Sequence, residues 1–519
     1  MTTVLRPALV WKEVRGLGPT WLTAAALLVV VGFVETGLGT VLFYVGACAL
    51  LGALSIGQEF TDRTLAGLLA QPAARSSVLL HKLGVVTAML LALGGLEWGY
   101  GLTPLAVARA WPEISPTGRV LVTVLPVLGG VLLTPCLTLL TRSALAGCVF
   151  TIALSLAMVI GSQAAVPWLY GDAATLAQAN ARIVDVFVHT MLAVVVLSAL
   201  LMWRLFMRLE AIEGRRLELH LPAWSFKPRV NLAAARSSRS VWQQMLGKEL
   251  HLQEITFVVS GLYVAAWLAV VLVGESLFPT RRAGLMTLAT LLHAGAIPLL
   301  AGSLASAEER QLGTLGWQVL LPIAAWRQWA VKAAVVLVLS LGLAIGVPAI
   351  LYALFASGPG PVRLGWPPAA AIAAVATVSL YASSLSTNGV RALLASVGVV
   401  FVATRTMDVM PRWMPLASDL PNAAWALLYA ASAAVFAWML WLGMKNHGSA
   451  ERGAKRVLKQ VAALGAVAVV AMLAFIAANR AEVTAPRRNL DERIRTRVAF
   501  EVEERGLVAD RSASAYTPH

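Results

Sequence analysis

Two stretches of the chain carry the same side chains at the same spacing. Residues Glu59 to Lys82 read EFTDRTLAGLLAQPAARSSVLLHK, and Glu309 to Lys332 read ERQLGTLGWQVLLPIAAWRQWAVK. Without a gap, Glu59 aligns with Glu309, Thr64 with Thr314, Leu65 with Leu315, Pro72 with Pro322 and Lys82 with Lys332. Arg63 and Arg75 in the first stretch and Arg327 in the second add further cations. Such segments suit mechanical work better than bond-making. Residues from Thr64 to Leu69 can form about a turn of helix along an interface, its apolar side chains against a bundle. Pro72 stops it, because proline lacks the amide and restricts the residue before it. Arg75 and Lys82 then lead into the next apolar run, at the expected level of lipid phosphates. A short helix held beneath two membrane spans is a lever for passing force into them.

The other groups with chemical potential are isolated. Glu97, His189 and His293 lie inside different apolar runs, far apart in sequence. Ionisable groups in spans are costly and tend to face a bundle interior, so Glu97 and His293 are candidates for a substrate path; a hydrogen-bonded packing role is the alternative for His293. Glu35 and Glu275 fall at span ends and read as wetted termini. The chain contains no His-Glu-x-x-His motif and no Ser/His/Asp order. Neither a catalytic residue nor a metal ligand is expected, and the chain does not read as an enzyme. Cys48, Cys136 and Cys148 all fall in apolar runs without Cys-x-x-Cys spacing and read as packing residues.

The elements that must position these residues are membrane spans. Of 519 residues, 59% are hydrophobic and 13% charged, with a mean hydropathy of +0.76; soluble domains carry about 25% charge. Apolar runs long enough to cross about 30 Å of hydrocarbon recur along the chain. They fall near 20–34, 37–56, 83–105, 120–140, 144–166 and 183–207, then 255–272, 283–306, 330–355, 368–385, 389–404 and 423–444, with one more at 461–478. The basic, proline-interrupted segment 208–248 separates two sets of six runs. Six is even, so the halves cross in the same sense. The expected fold is an all-α, polytopic transmembrane bundle: six-span halves at 1–207 and 249–445 forming a parallel repeat, then a basic loop and an extra span at 446–479, and a polar tail at 480–519. Within the tail, Asn489 to Arg505 is a candidate short helix.

The net charge of +15 sits mostly beside the apolar runs, as the positive-inside rule requires, and argues for a membrane rather than nucleic acid. Counting Lys and Arg loop by loop puts the N-terminus and the linker on the cytoplasmic side of a cell (inner or plasma) membrane. The first residues lack a short apolar core with a small-residue cleavage site and read as mature protein.

In these motifs the chain resembles the permeases of ABC-2-type exporters. Their pattern is a Glu near the inner end of the second span, a Gly-Thr-Leu-like turn, a Pro, and a basic residue entering the third span. Glu309, Gly313, Thr314, Leu315, Pro322 and Lys332 fit it. Glu59, Thr64, Leu65, Pro72, Arg75 and Lys82 fit nearly as well, with Arg63 in place of the glycine. The Trp-containing segments that lead into each half, around Trp11–Arg15 and Trp242–Glu249, resemble that family's interfacial elbow helices. The resemblance covers roughly residues 1–445 and implies two permease units fused in one chain. It also implies that the loops between second and third spans dock a cytoplasmic ATPase dimer, which carries the ATP and magnesium. An amphipathic drug, lipid or peptide would be moved outward. A phosphate loop is absent here: the Gly247-Lys248 pair is followed by Glu249. A secondary transporter of the major facilitator type is the rival reading, since GQEFTDR at 57–63 resembles that family's Gly…Asp-Arg signature. The second copy lacks Asp-Arg, which counts against it.

Overall fold

The computed structural model describes residues 7–34, 38–62, 64–70, 73–99, 124–170, 176–209, 241–277, 282–311, 313–314, 323–355, 366–413, 422–447, 458–467, 469–470 and 473. Among these the chain is helical nearly throughout and has no strand. Lipid offers the backbone no hydrogen-bond partners, so apolar runs of this length satisfy themselves as helices.

The helices run α1 (Pro7–Val34), α2 (Leu38–Thr61), the short α3 (Leu65–Leu69), α4 (Arg75–Gly99), α5 (Val124–Thr141), α6 (Ala144–Tyr170) and α7 (Leu176–Met207). After the linker come α8 (Val241–Leu252), α9 (Glu254–Leu277), α10 (Arg282–Gln311), α11 (Ala325–Phe355), α12 (Trp366–Leu385), α13 (Gly389–Trp413) and α14 (Asn422–His447). Among the described residues, ten helices are long and apolar enough to cross a membrane, which makes this a multi-pass membrane protein. The expected run at 389–404 falls within the 25-residue α13, and the run at 461–478 lies only partly within the described residues, which include the helix Leu458–Val467. Most of the linker and all of the tail lie outside the described residues.

Residues 1–409 with 439–451 form one compact unit. In it α2 packs on α1, α4, α5 and α6, and α10 packs on α9, α11 and α12. Both central helices use a glycine to approach a neighbour's backbone. A methyl group at position 52 would lie 1.9 Å from the Gly130 carbonyl oxygen of α5, and one at position 302 would lie 2.8 Å from the Ala376 oxygen of α12. Gly130 belongs to a π-helical turn, Gly129–Leu133; a second π turn, Gly342–Gly346, interrupts α11.

A shared apolar cluster joins the two sets of helices. Leu17, Leu50, Leu54, Leu145 and Cys148 meet Leu300, Leu304, Val390 and Leu394, with Ile255 and Val259 packed alongside. Helix α1 reaches α13 through Leu27 and Gly398, and α9 packs on α6. At one end of the bundle the tips of α2 and α10 adjoin, where Gln311 Nε2 comes within 3.4 Å of Thr61 Oγ1.

The lead-in segments of the two halves differ. In the second, α8 is a separate helix that turns at Gln253; this side chain donates to Ala301 O (2.9 Å) and accepts from Thr256 (2.9 Å). In the first, lead-in and span are one 28-residue helix that continues through Pro19.

The second unit comprises Met410–Trp438 and Arg452–His519. Its described residues include the first part of α14 and the short helix Leu458–Val467.

Candidate functional site

Lys82 lies two turns into α4, and a lysine there must either reach water or find anions. It finds anions. Lys82 Nζ is 2.7 Å from Glu13 Oε1 of α1 and 2.9 Å from Glu59 Oε1 of α2, and it donates to Ser55 O at 3.2 Å. Those three acceptors match the three ammonium hydrogens. Lys12, next to Glu13, reaches Glu59 Oε1 at 2.9 Å, so two lysines and two glutamates close a neutral quartet. Glu59 and Lys82 are buried, while the Lys12 side chain is about half exposed. Thr64 closes the far side: its hydroxyl donates to Glu59 Oε2 and its amide donates to Glu59 O at 3.1 Å. The chain leaving α2 is thereby folded back on Glu59 before α3 begins.

The same four residue types assemble again at the tip of α10. Lys332 Nζ lies 2.7 Å from Glu249 Oε2 and 2.9 Å from Glu309 Oε1, and it donates to Ala305 O at 2.7 Å. Lys248 pairs with Glu309, and the Thr314 amide donates to Glu309 O at 3.0 Å. The turn between them uses Gly313 in the left-handed region, φ +71°, where a side chain would be strained. Here the Thr314 hydroxyl donates to the backbone oxygen of Glu309, not to its carboxylate. In α8, burial pushes the Glu249 carboxyl above its ordinary range, against the pull of Lys332.

The two quartets carry different covers. Beside the first, Leu79 packs with Met202 and Phe206 of α7, and Arg75 donates to Met207 O at 2.7 Å. Beside the second, Trp329 packs on Gly443 and on the His447 ring, 5.7 Å between centroids. Arg310 donates to Asn446 O (3.2 Å), and Asn446 donates to Ser384 (3.3 Å). His447 lies past the apolar run of α14 and is buried, with neither ring nitrogen hydrogen-bonded. Burial holds its pKa down to about 4, with the Lys332 charge acting the same way.

These positions refine the expectations from sequence. Lys82, Glu59, Glu309 and Lys332 are buried among the helices. Thr64, Arg75 and Arg327 are exposed, and Arg327 stands over the Trp326 ring at 5.3 Å. Leu65 is partly buried, and Leu68 of α3 packs into the cluster around Phe206. Arg63, Pro72, Leu315 and Pro322 lie outside the described residues. Glu97 and His293 are not brought together. Glu97 is buried within electrostatic reach of Tyr44 and Cys48, whereas His293 stacks on Tyr263 and bonds to Leu343 O.

Sequence reasoning missed Lys12, Glu13, Lys248 and Glu249. Their signal is a Lys-Glu pair in the segment leading into each half. Aligning those segments on their Val-Trp letters hides it, because in the quartets Trp11 corresponds to Gly247. Among the described residues no group of three or more His, Cys, Asp or Glu could hold a metal ion. The quartets offer no nucleophile; they can grip the two ends of a loop and tie both to the lead-in helix. No protein-family model, curated protein or solved structure matches the chain.

Proposed function

We propose that this chain is the permease of an ABC-2-type exporter, two six-span units fused in tandem with an extra C-terminal span, driven by a separate cytoplasmic ATPase dimer. The observation that carries this reading is the pair of quartets. Each one binds the end of the second span, the start of the third and the lead-in helix into one block, at both ends of the loop where the resemblance puts ATPase contact. The approach of Thr61 to Gln311 and the exchange of α1–α13 for α9–α6 packing support two halves arranged about a pseudo-two-fold axis.

The burial pattern divides the labour. Exposed Thr64, Arg75 and Arg327 are the contact candidates on this reading, and the buried Glu59, Lys82, Glu309 and Lys332 are transmitters. A push on α3 reaches α2 through Glu59, α4 through Lys82 and α1 through Glu13, so three helices move together. ATP binding with magnesium closes the partner subunits, the halves rock, and an amphipathic substrate leaves outward. The quartet end faces the cytoplasm of a cell membrane, as the charge bias of the loops requires.

The test is purification of tagged protein from its native cell in mild detergent, with mass spectrometry of the proteins that co-purify. About two ATPase subunits per chain are expected, and R75E combined with R327E should release them while the chain stays folded. A folded chain that never carries an ATPase, and that takes up solute with protons, would replace this reading with a secondary carrier.

A further inference from the structure

An aromatic cluster joins α9, α10 and the end of α11. Tyr263 and Trp267 stand one turn apart on α9. The His293 ring of α10 stacks on Tyr263, 4.0 Å between centroids and 6° from parallel. Trp267 meets Tyr352 edge-on at 5.5 Å and Phe355 at 6.0 Å. Trp267 is 1% exposed and His293 4%, while Phe355 at the cluster's edge is 48% exposed.

The hydrogen-bond inventory of this cluster does not close. Thr290 donates to Met286 O at 2.7 Å, so the Tyr263 hydroxyl is the donor in its 2.9 Å bond with Thr290. His293 Nε2 lies 3.1 Å from Leu343 O, an oxygen within the π turn of α11. A carbonyl only accepts, so Nε2 carries the proton and Nδ1 of the neutral ring presents a lone pair. That Nδ1 has no partner, and neither does the indole Nε1–H of Trp267. The unmet acceptor is on the ring stacked against Tyr263, and the unmet donor is on Trp267, one helical turn from Tyr263 along α9. An unpaired polar group costs most in a low-dielectric interior, so two in one cluster point to a ligand and not to packing alone.

The matching positions in the other half carry different side chains. The register that aligns Glu59 with Glu309 sets Phe43 opposite His293. The register of the two Lys-Glu pairs sets Leu27 opposite Tyr263 and Val31 opposite Trp267.

We propose that this cluster binds a neutral aromatic molecule bearing a hydroxyl or amide, entering from the bilayer past Phe355, with Trp267 Nε1 donating to it and His293 Nδ1 accepting from it. Cargo recognition by this site rests on the transport reading; ligand binding does not.

The experiment uses the purified full chain in nanodiscs, with protein-free nanodiscs as the partition control, and needs no ATPase. The probes are 1-naphthol (donor and acceptor), 1-methoxynaphthalene (acceptor only) and 1-methylnaphthalene (neither), followed by equilibrium dialysis. Saturable binding of about one 1-naphthol per chain is expected, about tenfold weaker for the methoxy compound and weaker again for the methyl compound. Trp267→Phe keeps the ring and removes the donor, and should weaken 1-naphthol about tenfold. His293→Phe should erase the preference for 1-naphthol over its methyl ether. Non-saturable uptake, equal affinity for the three probes, or Trp267→Phe binding unchanged would overturn the site. If His293→Phe fails to fold, the probe series on the unaltered chain and Trp267→Phe still decide it. Loss of ATPase co-purification would overturn the transport reading and leave these outcomes untouched.

Discussion

The quartet around Lys82 and the quartet around Lys332 have the same charges in the same connectivity, yet nearly everything touching them differs. Each buried lysine takes two carboxylates and one backbone oxygen, a set that supplies acceptors for all three ammonium hydrogens and balances the charge. The neighbours obey no such rule. Phe206 and Leu79 seal the first, and His447 and Trp329 flank the second. The contrast continues into the bundle. Ser303, Ser306 and Ser340 are buried with hydroxyls that have no partner, where the first set has Ala53, Ile56 and Leu90. Charge balance holds the two blocks alike, and polarity around them is free to diverge.

The most severe way to break the likeness is to remove a central lysine. Lys332→Met would leave Glu249 and Glu309 facing each other with only Lys248 between them, at a cost of about 3–5 kcal/mol. Lys82→Met should cost a similar amount, since its carboxylates are nearly as deeply buried. Thermal unfolding midpoints in detergent would measure both. Tolerance of one replacement but not the other would show that the blocks are not equivalent.

Acid should separate the two blocks. His447 is neutral in the folded chain down to about pH 4, while an unfolded histidine titrates near 6.5. Between those values the unfolded state holds more protons. The stability His447 contributes is therefore complete above pH 6.5 and is lost as pH falls toward 4, by about 3 kcal/mol at most. His447→Phe, the residue type at Phe206, should remove that part of the acid sensitivity in a pH series of unfolding midpoints. An unchanged slope would mean that the imidazole is hydrated.

The smallest effect concerns the threonines. Thr64 donates to a carboxylate and Thr314 to a backbone oxygen. Thr64→Val should cost about 2 kcal/mol and Thr314→Val about 1 kcal/mol, because bonds to charged acceptors are stronger. Equal losses would mean that solvent around the exposed Thr64 cancels the advantage of its charged acceptor.

Most helices were legible in the sequence because apolar runs of this length in lipid have one way to satisfy their backbone. Glu59, Thr64 and Lys82, with Glu309, Thr314 and Lys332, stood out in the sequence because they recur without a gap. Their depth was not. Lys82 follows exposed Arg75 by seven residues and reads as another basic residue at the span's edge. Glu13, 69 positions away in the chain, and Glu59, 23 positions away, let it sit inside, and no local pattern announces contacts at those separations. His447 left a weaker trace still, a lone histidine at the end of an apolar run.

The glycines at 52 and 302 bear on how such a molecule deforms. Where a span meets its neighbour backbone to backbone, no layer of side chains remains to re-pack, and the pair cannot slide without breaking contact. Helices α2 with α5, and α10 with α12, therefore act as stiff plates. Within this unit flexing then falls on the leucine-rich seam between them, whose branched side chains can exchange rotamers, so its compliance is concentrated in one seam.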